Sequence, residues 1–241
     1  MTAIFDLATA RAVAAGSSQY LILHHGDKVP WLSLGEFEAY ELAALEYLAD
    51  EDVQLEGIDA GFREVTGPAA KAMSRLKVSF FYLHGLDTLD ERAAVVLGHW
   101  DRDTRPIRDF VLRQPLSEFS AYALTADSMA PDRDGFCDRP LSVCVPSLDV
   151  GVANGLARHG HELFVTVKDE PLLPDAAAAL ARQVGYALTL NLDQPLLPAI
   201  SEALASNPRK EVRVTPRGDH ATVYVVDPGW LPGIAGAPWP G

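Results

Sequence analysis

Between residues 162 and 226 the chain alternates strand-like and helix-like segments on a nearly fixed spacing, and that rhythm constrains the fold more than any other feature. Glu162–Val167, Tyr186–Asn191 and Glu211–Thr215 are short runs of apolar and β-branched residues. Between them lie the alanine-rich Pro174–Val184 and Pro198–Ser206, each opening on a proline, which costs nothing at the first helical position. The strand centres near Val165, Leu188 and Val212 are 23 and 24 residues apart. A two-residue hairpin can join only antiparallel neighbours, whereas parallel strands need a helical crossover of this length. The expectation is an α/β fold with a parallel sheet buried on both faces. Ahead of this run, Ser147–Gly160 reads as a glycine-weakened helix capped at Ser147, and Phe119–Thr125 as a strand. After it, the turn sequence Pro216-Arg217-Gly218-Asp219 makes Thr222–Val226 antiparallel to its predecessor, and Pro228–Gly241 reads as an irregular tail.

The first hundred residues follow a different pattern. Gln19–His24 and Lys28–Leu34 read as a hairpin turning at His25-Gly26-Asp27. Ser33-Leu34-Gly35-Glu36 has the form of a capping box, with Phe37, Tyr40, Ala44, Tyr47 and Leu48 at helical spacing behind it. A short amphipathic piece carries Leu55, Ile58 and Phe62. Thr66-Gly67-Pro68 opens a second helix, expected to reach residue 83 with Met73, Leu76, Phe80 and Leu83 as its buried stripe. Thr88-Leu89-Asp90-Glu91 opens a third helix, running to about Trp100. Residues 101–117 are charged and Pro-punctuated and read as a connection, which places one unit over 1–110 and a second over 111–241.

Composition narrows the function. Lys and Arg number 20 against 33 Asp and Glu, a net charge of −13. Such a surface repels phosphate backbones and anionic membranes and favours solubility or a basic partner. No run approaches the ~18 apolar residues of a membrane span. The N-terminus, interrupted by Asp6 and Arg11, is a poor signal peptide. The two cysteines, Cys137 and Cys144, suit a reducing compartment, so a cytoplasmic location is expected.

Two stretches resemble known families. The order of two strands, LSLGEFEAYELAALEYLAD, a short helix and TGPAAKAMSRLKVSFFYLHGL, over residues 19–85, resembles the small winged-helix domain of the PqqD type. The resemblance implies recognition of the leader segment of a precursor peptide. Leu163–Val167 followed by Lys168-Asp169-Glu170-Pro171-Leu172-Leu173-Pro174-Asp175 is similar to the second strand and following turn of a radical SAM barrel, and the elements over 119–226 keep that family's order. A PqqD-like domain ahead of a radical SAM unit is a known pairing. The family's CxxxCxxC loop would hold an iron–sulfur cluster with three thiolates. Its counterpart here, Ala126-Asp127-Ser128-Met129-Ala130-Pro131-Asp132-Arg133-Asp134-Gly135, has no cysteine, and Lys168 and Asp169 replace the two glycines of the turn. The resemblance therefore implies a truncated barrel without cofactor, metal or catalytic residues.

Together these readings predict an N-terminal winged-helix-like α+β unit followed by a truncated, barrel-like parallel sheet. The expected function is that of a non-catalytic accessory protein in peptide modification. Its partner would be a precursor peptide, a modifying enzyme or a second copy of the chain, with no role for nucleic acid or membrane. Added-strand binding at the sheet edge would place the peptide against Val29, Trp31, Leu32 and Leu34, and against Met73, Leu76 and Phe80 of the neighbouring helix. The rival expectation is a small α/β enzyme with a metal or small-ligand site at the strand C-termini, where ligands of open sheets bind. There Glu170, which the resemblance places near a ligand amine, would meet Asn191 and Asp193, with Asp219 close by. His159-x-His161-Glu162 is the most metal-like local cluster, but it lacks a third ligand and reads as a helix C-terminus. His24-His25 reads as a turn.

Overall fold

Short strands in which every second residue is apolar, most of them followed by a helix of seven to nine residues, are laid down in chain order across one sheet. The computed structural model describes residues 2–16, 19–23, 29–100, 106–126, 140–185, 187–206 and 211–216, together with the backbone of 223–226. The main sheet takes in β2 (Leu21–Ile22), β3 (Trp31–Leu34), β5 (Gly57–Ala60), β7 (Phe80–Leu86), β9 (Ile107–Leu112), β10 (Leu141–Val145), β11 (Leu163–Val167), β12 (Ala187–Leu192), β13 (Glu211–Pro216) and β14 (Val223–Val226). Neighbours in sequence are neighbours in space from one end of this sheet to the other. All pairings from β3 to β13 are parallel, and only the terminal pairs β2–β3 and β13–β14 are antiparallel. Leu32, Ile58, Phe81, Arg108, Leu141, Leu163, Leu188 and Val212 fall in one transverse row, 22 to 33 residues apart.

The helices are α1 (Leu7–Ala14), α2 (Leu42–Asp50), α3 (Gly67–Met73), α4 (Glu91–Gly98), α5 (Glu118–Leu124), α6 (Val150–Leu156), α7 (Pro174–Ala181) and α8 (Pro198–Leu204), and each packs on the next. Sequential parallel strands with sequentially stacked helices are the arrangement of a solenoid, in which each βα unit buries its apolar face against its neighbours. One sheet face meets the helices and is dry: Leu32, Leu34, Phe81, Leu83, Phe110, Val143, Val165, Leu190 and Val214 are all buried. Small residues keep the helices close. A methyl on Gly98 would sit 1.9 Å from the carbonyl oxygen of Ala123, and one on Gly155 would sit 2.7 Å from the Cβ of Ala121.

Polar side chains in the core bind one unit to the next. Arg108, on the helix-facing side of β9, donates to the carbonyls of Leu97 (2.7 Å) and Leu124 (3.3 Å), at the C-terminal ends of α4 and α5. A cation there complements both helix dipoles. The Thr125 hydroxyl donates to Gly155 O (3.0 Å), and the Gln183 amide to His159 O (3.2 Å) and His161 O (2.6 Å). Two short parallel ladders, β1 (Ile4–Phe5) with β4 (Ala39–Tyr40) and β6 (Glu64–Val65) with β8 (Thr88–Leu89), join the strand-to-helix turns of neighbouring units.

The strands and helices expected over 162–216 are present, as are the helix within 147–160 and the antiparallel β13–β14 pair. The hairpin of the first unit is present as β2–β3; its turn, with His24 and His25, lies outside the described residues. Several other elements are corrected. Ser33 belongs to β3, and α2 begins only at Leu42, so Ser33–Glu36 caps nothing. The piece with Leu55, Ile58 and Phe62 is strand β5 with its flanks. The helix opened by Thr66-Gly67-Pro68 ends at Met73, and Phe80–Leu86 is strand β7. Asp90, not Thr88, caps α4, while Thr88 belongs to β8. Phe119–Thr125 lies in and just after helix α5, and Asp149, not Ser147, caps α6. The stretch read as a connection contains β9, hydrogen-bonded to β7 and β10, and the boundary drawn at 110/111 falls inside it. Residues 19–85 thus keep the β2–β3 hairpin and two helices, α2 and α3, but add the parallel strands β5 and β7 where further helix was expected. The sheet was expected to be buried on both faces; among the described residues, the helices cover one.

A candidate binding face on the open side of the sheet

Residues alternating with the buried row point away from the helices, and most are half-buried. Strand register aligns Ser33, Asp59, Tyr82, Asp109, Ser142, Phe164, Thr189 and Arg213 across the sheet. Beside them run Trp31, Gly57, Phe80 and Ile107 on one side and His84, Val111, Cys144, Thr166, Asn191 and Thr215 on the other.

The N-terminal half of this face is aromatic. Trp31 stacks on Phe80 (ring centroids 5.1 Å apart, 25° between planes) and lies 5.4 Å from Tyr82. It reaches Phe80 across Gly57, where any Cβ would come within 2.6 Å of the indole. Tyr82 in turn stacks on His84 (5.9 Å, 15°). These four rings form a continuous strip over three strands, held in place by the alternation of β7.

Two carboxylates flank the strip. Asp59 on β5 and Asp109 on β9 are the register partners of Tyr82 on either side. His84 Nδ1 lies 3.2 Å from Asp59 Oδ1, and its Nε2 lies 3.9 Å from Asp109 Oδ2. The first contact is a close pairing rather than an aligned hydrogen bond, for the buried Asp59 Oδ1 accepts none among the described residues. The Asp59 side chain raises the His84 pKa above its ordinary value, against the opposing effect of burial and with a further contribution from Asp109. Burial raises the Tyr82 pKa, and both carboxylates add to the rise. Further along, burial raises the pKa of the Cys144 thiol, partly offset by Lys168. At β2 and β3 lies a cleft of about 420 Å³ lined by Gln19, Tyr20, Ile22, Ser33, Gly35 and Glu36.

Of the residues expected to bind a peptide, Trp31 and Phe80 lie on this face and touch each other, and Val29 is half-buried just before β3. Leu32, Leu34, Met73 and Leu76 are at most 3% exposed and belong to the core. Of the residues expected at a ligand site, Asn191 stands on the open face and donates to Thr166 Oγ1 (3.3 Å). Glu170 and Asp193 are exposed just beyond the ends of β11 and β12, their backbone N–H groups bonded to Pro146 O and Val167 O. Asp219 and Cys137 lie outside the described residues. His159 is buried, with its ring 5.8 Å from that of His161. Among the described residues no group of three His, Cys, Asp or Glu is arranged to hold a metal ion, and no helix is long and apolar enough to cross a membrane. Asp59, Tyr82, His84 and Asp109 were not anticipated. The signal for them was the alternation Phe80-Phe81-Tyr82-Leu83-His84, which has the period of a strand.

In comparisons with protein-family models, with curated proteins and with solved structures, nothing matches this chain.

Proposed function

We propose that the protein is an accessory binding module that holds a polypeptide partner on the open face of its sheet. The observation that carries this reading is the strip Trp31–Phe80–Tyr82–His84, four partly exposed rings on the sheet face that none of the described helices covers. Solenoids commonly use such repeated strand faces as extended binding surfaces. Tyr and Trp supply large, rigid contact area at low entropic cost and dominate interface energetics. In a sheet of successive parallel strands, each unit offers the partner one row of side chains, so an extended segment lying across the strands samples several units at once. Precursor peptides and the enzymes that modify them are the partners to screen first, in keeping with the two-part resemblance of the sequence.

A peptide array probed with purified protein tests the reading. Wild-type protein is expected to select a subset of peptides, and Trp31→Ala and Tyr82→Ala to weaken that binding by at least tenfold, because truncating an interface aromatic commonly costs about 2 kcal/mol. If both variants keep the wild-type profile, the partner does not sit on this face.

A further inference from the structure

Resting on that reading, we infer that the partner segment is basic and that one of its lysine or arginine side chains seats against Tyr82 between Asp59 and Asp109. The charge arrangement carries the argument. Asp59, Tyr82 and Asp109 share one transverse row on three adjacent strands. Strands lie about 4.8 Å apart, so the two carboxylates flank the phenol ring from about 10 Å apart, backbone to backbone. A cation over an aromatic ring is attracted by the ring's quadrupole, and a carboxylate on either side adds charge-assisted hydrogen bonds. No Lys or Arg occurs among the open-face residues of β3, β5, β7 and β9. A group of the protein's own occupies a comparable place: the His84 imidazole stacks on Tyr82, with its nitrogens 3.2 Å from the Asp59 carboxylate and 3.9 Å from that of Asp109.

The same contacts make the site pH-dependent. The charged groups around His84 are Asp59 from β5, Asp109 from β9 and, beyond β9, Arg113. The Arg113 guanidinium packs over Gly85 and lies 3.7 Å from Asp87. Protonated His84 offsets part of the charge of the two carboxylates and repels an incoming cation. Neutral His84 leaves both carboxylates to the partner. Affinity for a basic segment therefore rises as pH rises through the His84 titration, and bound cation lowers the His84 pKa in return.

Proton–carbon NMR of the His84 and Tyr82 ring signals tests this, with acetylated, amidated Gly-Gly-Arg-Gly-Gly as probe and its citrulline counterpart as the neutral control. The arginine peptide is expected to shift both signals, with affinity about fivefold higher at pH 8 than at pH 5.5. Asp59→Asn and Asp109→Asn should each weaken it about fivefold, and His84→Gln should flatten the pH dependence. The His84 and Tyr82 signals of the free variants report whether the face is still folded. Equal shifts with the citrulline peptide, or unchanged affinity in both Asn variants, would overturn the basic-partner inference while leaving the open face as a binding surface. No shift at either ring with the arginine peptide would also overturn it. The array then decides separately whether peptides without basic residues depend on Trp31 and Tyr82.

Discussion

At the scale of single residues, the open face depends on a glycine and a histidine. Gly57 is the floor on which the Trp31 indole lies, and a side chain there must displace the ring. Gly57→Val is expected to destabilise the protein by about 1–3 kcal/mol, the usual cost of forcing atoms into a packed contact. Urea denaturation followed by tryptophan fluorescence checks both the loss and the altered environment of the indole. His84 bears on stability as well as binding. Its pKa is raised in the folded protein by Asp59, so its ion pairs stabilise the fold at pH values below the unfolded imidazole pKa. That contribution disappears as pH rises through the folded-state pKa. Denaturation at pH 5 and pH 8 should therefore show His84→Gln costing more stability at the lower pH, and an equal cost at both would contradict the pairing. Arg108 differs from both in facing the core, where its guanidinium serves the carbonyl ends of two helices.

At the scale of elements, helix spacing rests on small residues. The carbonyl of Ala123 approaches Gly98 so closely that even a methyl cannot fit, and the obstacle is backbone rather than a flexible side chain. Gly98→Ala should thus push α4 away from α5 despite the better helix propensity of alanine, with a loss of about 2–3 kcal/mol. Calorimetry of this variant separates the two effects, since a gain in stability would mean that propensity wins. Elements were also where the sequence was hardest to interpret. Met73, Leu76, Phe80 and Leu83 have helical spacing by coincidence, since Met73 closes α3, Leu76 packs in the turn after it, and Phe80 and Leu83 face opposite sides of β7. A helix of seven residues is too short for its periodicity to stand out from that of its flanks. A related signal was present: Gly61-Phe62-Arg63-Glu64-Val65-Thr66 and Gly85-Leu86-Asp87-Thr88-Leu89-Asp90 occupy the same turn 24 residues apart, matching the spacing of the C-terminal strands.

At the scale of the whole molecule, contacts run mainly between adjacent units, so stability should be graded along the chain. Native-state hydrogen exchange is expected to show the strongest protection in β9, β10 and β11, where units are packed on both sides, with protection falling toward β2 and β14. Uniform protection from end to end would indicate a single cooperative block. The net charge of −13 acts at this scale too, favouring approach by basic partners and making their association rate fall as salt rises.

The sequence by itself determined the α/β class, the parallel pairing of the C-terminal strands and the exclusion of a helical membrane span, because each follows from local periodicity or composition. Only the tertiary structure decided that strands from the first hundred residues join the same sheet and that the described helices gather on one of its faces. It alone brought Asp59, Tyr82, His84 and Asp109 together. The reason is physical: strand register joins residues some 25 positions apart, and nothing within one segment records which face its neighbours will cover.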